Sequence, residues 1–385
     1  MNIACKYVGP MADFSGYGDA NRNFIYALHE VGVDLTVEIL SYSGNVTNYF
    51  GEKYKIIKDL ANRNINYDIK VIHVPCDSYL KFLEPCKFHI GHLFWETDKM
   101  SPEWVWNCNL MDEIWTGSEY NKKAFENSGV QKPIWVFPQP IDTGINIESY
   151  KPWKIPGHEG FLFYSIFQWI ERKNPKALIE AYLKEFNKDE KVGLLIKTYR
   201  EKFSLDEKEM IIGQIQQWKR EVGKEDAPPI YLSIELMDQE DVFRIHRTGD
   251  CFVLPHRGEG WGRPIAEAML FKKPVIATNC GGIHDHLPEE VYLSLSYKLT
   301  NVFGMEFAPW YRENQKWADI SVDELRRKMR WVFEHRDEAK QIGERGYEFI
   351  KRNFSYEAVG RMLKARLIDI QRMIEEQKKR GIKWL

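Results

Sequence analysis

The sequence has no unbroken apolar run near the roughly 20 residues that a membrane-spanning helix needs. Its start, Met1 to Asp19, lacks a charged segment followed by an apolar one, so no signal peptide is expected. Six cysteines, Cys5, Cys76, Cys86, Cys108, Cys251 and Cys280, are scattered over 385 residues with no C-x-x-C pair. That usage excludes a disulfide framework and a zinc site, and it fits a cytoplasmic protein. A surplus of one charge is missing too: 54 Lys and Arg stand against 56 Asp and Glu, a net of −2. Phosphate-backbone binding wants a basic excess, so no nucleic-acid partner is expected. There is no repeat and no low-complexity tract. No D-x-D, G-x-x-x-x-G-K-S/T, H-E-x-x-H or G-x-S-x-G sequence occurs. These absences argue against metal-dependent transferases of the D-x-D type and against P-loop kinases.

What is present is a rhythm of short apolar runs and amphipathic stretches. Ile3–Val8 reads as a strand and leads into a glycine-bearing loop, Gly9 to Gly18. A helix over Ala20–Val31 follows, with Ala20, Phe24, Ala27, Leu28 and Val31 on one face. Further strands are expected at Val33–Ile39, Ile69–Val74, Phe88–Phe94, Glu113–Thr116 and Ile134–Phe137, with helices at Glu103–Met111 and Glu119–Ser128. Residues 138–158 break the rhythm with four prolines and two glycines and read as a linker and hinge. The alternation then restarts: strands at Phe161–Phe167, Val192–Lys197, Ile230–Ile234, Cys251–Leu254 and Val275–Thr278 separate helices at Pro175–Phe186, Asp206–Glu221, Gln239–Arg247 and Pro264–Phe271. Val322–Glu334, Arg336–Asn353 and Tyr356–Gln377 read as helices.

Strand–helix alternation implies parallel sheets covered on both faces. Two such series imply an α/β protein of two Rossmann-like, doubly wound domains facing across a cleft. The expected boundaries are 1–150, 151–355 and a final helical segment, 356–385. Ligands of such sheets bind beyond the carboxyl ends of the strands, so the strand-to-helix loops matter most.

The most informative of these loops runs from Leu254 to Met269, LPHRGEGWGRPIAEAM. Three glycines allow close backbone approach to a ligand. Pro264 suits a helix start, and the amides of that start suit an anion such as a diphosphate. Glu259 precedes the helix and Glu267 lies about one turn inside it. Two carboxylates flanking an anion site fit a polyhydroxylated ligand with a central diphosphate, which describes a nucleotide sugar. The plainer reading, a capping Glu beside a surface Glu, leaves the glycines, Trp261 and Pro264 unexplained.

This segment resembles the E-x7-E motif of retaining glycosyltransferase family 4, in the form E-G-F/W-G-x-P-x-x-E-A-M. The following Pro274 to Gly282, PVIATNCGG, resembles the stretch that follows it in that family. The resemblance implies the GT-B fold, sugar transfer without a metal or other cofactor, and a donor, a UDP- or GDP-sugar, bound by the C-terminal domain. It implies that Glu259 meets the donor sugar, Glu267 the ribose, and the backbone at Gly260, Trp261 and Gly262 the sugar and phosphates.

Arg172 and Lys173 lie between the first strand of the second series and a helix opened by Asn174 and Pro175. Two cations ahead of a helix start suit a diphosphate. Alone, such a pair is an ordinary solvated turn; its place at a strand end favours a ligand. The family places an Arg and a Lys five apart here. Lys173 matches the Lys, and Gln168 stands where the Arg would be, with Arg172 a candidate substitute.

In the first series, Gly16 and Gly18 resemble the family's loop that closes on the donor diphosphate, although a tight turn is an equal reading. Strand alternation places His92, Phe94 and Glu96 on one face, with Glu96 at the strand tip and His92 in the core. Glu96 and Trp95 stand near the position where many family members carry a catalytic His. Trp95 either stacks on a sugar or packs.

The leading expectation is a retaining glycosyltransferase that moves a sugar to a glycan, lipid-linked or small-molecule hydroxyl. The alternatives are a nucleotide-sugar epimerase or glycosyl phosphorylase, or a sugar-nucleotide-binding scaffold without turnover. The basic tail, Lys378 to Leu385, admits peripheral contact with an anionic membrane, against the plainer reading of a solvated helix end.

Overall fold

The structure, a computed structural model, describes residues 3–42, 50–85 and 88–380. Cys86 and the tail residues 381–385 lie outside them; the other five cysteines are buried free thiols. The chain divides into two units, Met1–Gly144 with Lys351–Leu385, and Ile145–Ile350.

The first unit contains β1 (Ala4–Gly9), α1 (Gly16–Glu30), β2 (Asp34–Ile39), α2 (Tyr54–Leu60), β3 (Ile69–Ile72), β4 (Phe88–His92), α3 (Pro102–Cys108), β5 (Glu113–Thr116), α4 (Glu119–Ser128) and β6 (Ile134–Val136). Its strands form one parallel sheet in the order β2-β1-β3-β4-β5-β6. β3 and β5, inside the sheet, are buried on both faces, as a parallel sheet requires, while the edge strand β6 exposes Trp135. β4 stops at His92, short of the expected Phe94. The reason is local: the α4 side chain Asn121 takes up both the amide and the carbonyl of Trp95, so the ladder cannot continue. Glu96 therefore lies in a loop, and the expected alternation of His92, Phe94 and Glu96 does not extend to it. Trp95 is core; its indole donates to Thr97 Oγ1 (2.7 Å) and the Lys99 carbonyl (2.9 Å).

The second unit contains β7 (Phe161–Gln168), α5 (Pro175–Glu185), β8 (Val192–Tyr199), α6 (Leu205–Val222), β9 (Ile230–Ser233), α7 (Gln239–Thr248), β10 (Cys251–Leu254), α8 (Arg263–Leu270), β11 (Val275–Thr278), α9 (Gly282–His286), β12 (Leu293–Leu295), β13 (Tyr297–Asn301), β14 (Lys316–Ile320), α10 (Val322–Glu334) and most of α11 (Arg336–Asn353). Its parallel sheet runs β12-β11-β10-β7-β8-β9. The strand order reverses between β7 and β10, which makes that gap the topological switch point. The part of the expected linker within this unit is not loose chain. It includes a 3-10 turn at Ile147–Ser149, and Glu148, Lys151 and Trp153 bond to Arg247, Arg244 and Thr248 of α7.

β13 and β14 form an antiparallel hairpin that the sequence rhythm does not reveal. Its Trp317 joins Val302, Met305, Ala308 and Ile170 in a small core of its own. The last helix, α12 (Tyr356–Lys379), belongs to the first unit and lies along α1. Gly360 sits where an added Cβ would meet the Ala27 carbonyl at 2.4 Å. Arg366 of α12 pairs with the fully buried Glu113 of β5.

Candidate active site

The turn after β7 and the loop after β10 meet at the switch point. In the turn, Glu171–Lys173 form a 3-10 helix, and Asn174 follows with φ 56°, a left-handed backbone that Asn tolerates better than most residues. Asn174 does not cap α5 with its side chain, as the sequence suggested; its Oδ1 accepts from Arg257 Nη2 at 3.2 Å. Arg257 fastens this region. It also pairs with Glu171 (3.1 Å) and Asp319 of β14, and its own amide donates to the Arg172 carbonyl (2.7 Å).

The result is that Arg172, Lys173 and Glu259 come together. Lys173 Nζ donates to Glu259 Oε1 in a direct ion pair. Arg172 Nη1 lies 3.6 Å from the same oxygen and donates to the Gly258 carbonyl at 2.8 Å. Lys173 and Glu259 are buried. Burial alone would raise the Glu259 carboxyl; the two cations overcome it and hold the group at about 2. His256, enclosed beside them, is held near 3 by burial, so it is neutral at physiological pH.

Glu267 occupies a separate position on α8. Arg263, one turn earlier, reaches it at 3.1 Å. His246 of α7 points Nε2 at it from 3.8 Å, while His246 Nδ1 meets the Tyr164 hydroxyl at 2.9 Å. Burial lowers the His246 pKa against the pull of Glu267. Arg263 is legible in the sequence as an i, i+4 partner of Glu267. His246 and Tyr164 are not, because only the fold brings α7 and β7 to α8.

The glycines are accounted for individually. Gly262 precedes α8 at φ 88°, and Gly281, at φ 71°, lies so close to the Glu259 carbonyl that a Cβ would stand 2.4 Å from it. A Cβ on Gly282 would meet the Gly260 carbonyl at 2.2 Å. The glycine pair after β11 thus lets its loop pack directly on the backbone of the Glu259 loop. The Trp261 side chain is buried and stacks on His286 (4.9 Å, 8°), which leaves only its backbone for a ligand. One expectation is corrected: the start of α8 does not offer a full set of amides. Pro264 has none, and Ile265 and Ala266 donate back to the Gly262 carbonyl (3.0 and 3.2 Å). Positive charge at this site comes from side chains.

In the first unit, Gly16 and Gly18 are in the first turn of α1, not in a loop ahead of it; Ser15 caps the helix by accepting from the Gly18 amide at 3.1 Å. Gly18 has a steric reason, since a Cβ there would meet the Asp13 and Pro10 carbonyls at 2.4 and 2.7 Å. Glu96 is half-buried and near Tyr17, whose phenol is pushed up by burial and then by the Glu96 charge. His92 is fully buried, stacked on His73 at 4.0 Å, and burial holds it near 3. Glu96 and the Gly16–Gly18 turn are thus neighbours within this unit.

Residues 160–294 match the family described as "Glycosyl transferases group 1". That stretch, from the start of β7 to β12, is what this chain shares with the family. The matched stretch holds every second-unit residue of this site except Asp319. The two-sheet architecture is that of GT-B glycosyltransferases. HepE of Anabaena, solved in complex with UDP and glucose, aligns over 96% of this chain and 100% of its own at 13% identity and TM-score 0.66. Sucrose-phosphate synthase of Thermosynechococcus elongatus aligns over 97% and 100% at 14% identity and TM-score 0.68. A glycosyltransferase from Rickettsia africae aligns over 96% and 99% at 16% identity and TM-score 0.62. No curated protein matches the chain. Among the described residues no helix is long and apolar enough to cross a membrane.

Proposed function

We propose that this protein is a retaining glycosyltransferase that moves a sugar from a UDP- or GDP-sugar to an acceptor hydroxyl without using a metal. The observation that carries this reading is the convergence of Arg172, Lys173 and Glu259 at the switch point of the glycosyltransferase domain. Preorganised cations at a leaving group stabilise the charge that develops on it. Arg172 and Lys173 meet the diphosphate as its bond to the anomeric carbon breaks. Glu259 and Glu267 accept hydrogen bonds from sugar and ribose hydroxyls. The acceptor hydroxyl attacks from the face that the diphosphate leaves and passes its proton to the departing phosphate oxygen. The new bond keeps the anomeric configuration, and no carboxylate nucleophile is required. Glu96, Gly16 and Gly18 serve the acceptor side. HepE, bound to UDP and glucose, is a precedent for such a donor on this fold. The acceptor is a glycan, a lipid-linked sugar or a small molecule, and the buried free thiols suit a cytoplasmic setting.

The test is a donor screen with UDP- and GDP-sugars against an acceptor panel, with and without EDTA, followed by NMR of the product anomer. The reading expects an EDTA-insensitive reaction and a retained anomer. An inverted product, or transfer abolished by EDTA and restored by a divalent ion, would refute it.

A further inference from the structure

Lys197 lies near the carboxyl end of β8, one strand beyond β7 on the side away from β10. It is only 6% exposed. Among the described residues its ammonium makes no hydrogen bond and no ion pair. Its close neighbours are aromatic: the ring centre of Phe203 is 5.2 Å away and that of Tyr199 6.0 Å. These two rings stack on each other at 4.7 Å and 19°. Phe203 holds this place with φ 56°, a left-handed backbone that a bulky residue adopts only at a cost. The acid whose charge reaches Lys197 is the exposed Glu235 beyond β9, and burial outweighs it, bringing the amine down to about 8.

The two rings give this cation aromatic faces but no hydrogen-bond acceptor, and buried charges of that kind collect where a ligand completes them. Position indicates which part of the ligand does so. Tyr199 is in register with Gln168, and the Arg172–Lys173 turn begins just beyond Gln168. Adjacent strands are about 4.8 Å apart, so a ligand with its diphosphate at that turn reaches β8 with its next group. Lys197 is also apart from the diphosphate cations: the cations that hold Glu259 down are Lys173 and Arg172. The sugar and the ribose belong to the β10 loop and α8, which leaves the nucleobase for β8.

We propose that Lys197 donates a hydrogen bond to a carbonyl oxygen of the donor's nucleobase and so selects uracil or guanine over adenine. The inference rests on the nucleotide-sugar reading above. Uracil and guanine carry ring carbonyls that accept from an ammonium. Adenine has no carbonyl, and its amino group meets the ammonium donor to donor.

The experiment is titration calorimetry of the full chain with UDP, GDP and ADP, for wild type, Lys197→Met and Lys197→Gln, with melting curves of each unliganded protein. Wild type should bind UDP or GDP at least about ten-fold more tightly than ADP, as a site built around one hydrogen bond discriminates. Lys197→Met should lose most of that ratio, Lys197→Gln should keep part of it through its amide donor, and unliganded Lys197→Met should melt no lower than wild type. An unchanged ratio in Lys197→Met, a wild-type preference for ADP, or a lower melting temperature for the unliganded Met variant would overturn the role of Lys197. If wild type binds none of the three nucleotides, the nucleotide-sugar reading itself fails; if it binds and the ratio is unmoved, only the role of Lys197 does.

Discussion

Lys173 and Glu259 are each other's counter-ions, although 86 residues separate them in the chain. The pair means that the unliganded site already holds a neutralised cation. Under the proposed function a donor diphosphate entering beside Lys173 would compete with Glu259 for it, and Arg172, 3.6 Å from the same carboxylate, would be the second cation.

Removing the lysine tests this arrangement most directly. Lys173→Ala should lower kcat by about 10²- to 10³-fold, the scale for losing one preorganised charge-stabilising donor. Steady-state transfer assays at saturating donor measure it. Lys173→Arg should recover only part of the rate, because a planar fork cannot reproduce a single point contact.

Acid stability reports on the same pair from the other partner. The folded Glu259 carboxyl lies at about 2, below its ordinary 4.5, so its contribution is fully present above pH 4.5 and is lost as pH falls through about 2. By linkage that difference is about 3 kcal/mol. Urea unfolding of wild type from pH 5 to pH 2 should show that loss superimposed on the general acid limb. Glu259→Gln should lack this component, and at pH 7 it should be less stable by about 3 kcal/mol because a buried cation loses its partner.

Under the proposed function His246, whose Nε2 lies 3.8 Å from Glu267, would position that carboxylate rather than touch the ligand. His246→Gln and Tyr164→Phe should raise the donor KM about five-fold, the scale of one hydrogen bond, with kcat nearly unchanged. The wild-type KM should rise as the pH drops through the lowered His246 pKa, because protonation lets the imidazolium hold Glu267 as an ion pair; the Gln variant should show no such rise. Equal losses in kcat and in kcat/KM would assign His246 to the chemistry instead.

Gly281 offers a steric test. With φ 71° and the Glu259 carbonyl at 2.4 Å from any added Cβ, Gly281→Ala should force the two loops apart. A destabilisation of about 2 kcal/mol is expected from strain alone, together with loss of donor affinity. Gly213, which has open space around it in α6, is the control: Gly213→Ala should stabilise by up to about 1 kcal/mol.

The parallel strands other than β12, and the long helices, were legible because their residues state their own environment. Apolar runs such as Val275–Thr278 cannot be anything but buried, and Glu119–Ser128 carries its own Ser118 cap and Gly129 stop. The hairpin β13–β14 was not legible, since Tyr297 and Leu299 face solvent and mimic a buried alternation. The early end of β4 depends on a side chain of α4, beyond the reach of local pattern.

The same division holds at the site. Chemistry, position at strand-to-helix loops and the family resemblance together singled out Glu259, Glu267, Arg172 and Lys173, since carboxylates, cations and glycines there suit a sugar diphosphate. Which of them touch was decided by topology: β7 and β10 are neighbours only because the sheet reverses between them, and that adjacency joins Lys173 to Glu259. The partners His246, Tyr164 and Lys197 were decided there too. A histidine or lysine in an apolar run carries no local sign of its neighbours; burial and register, which the tertiary structure alone sets, determine what it meets.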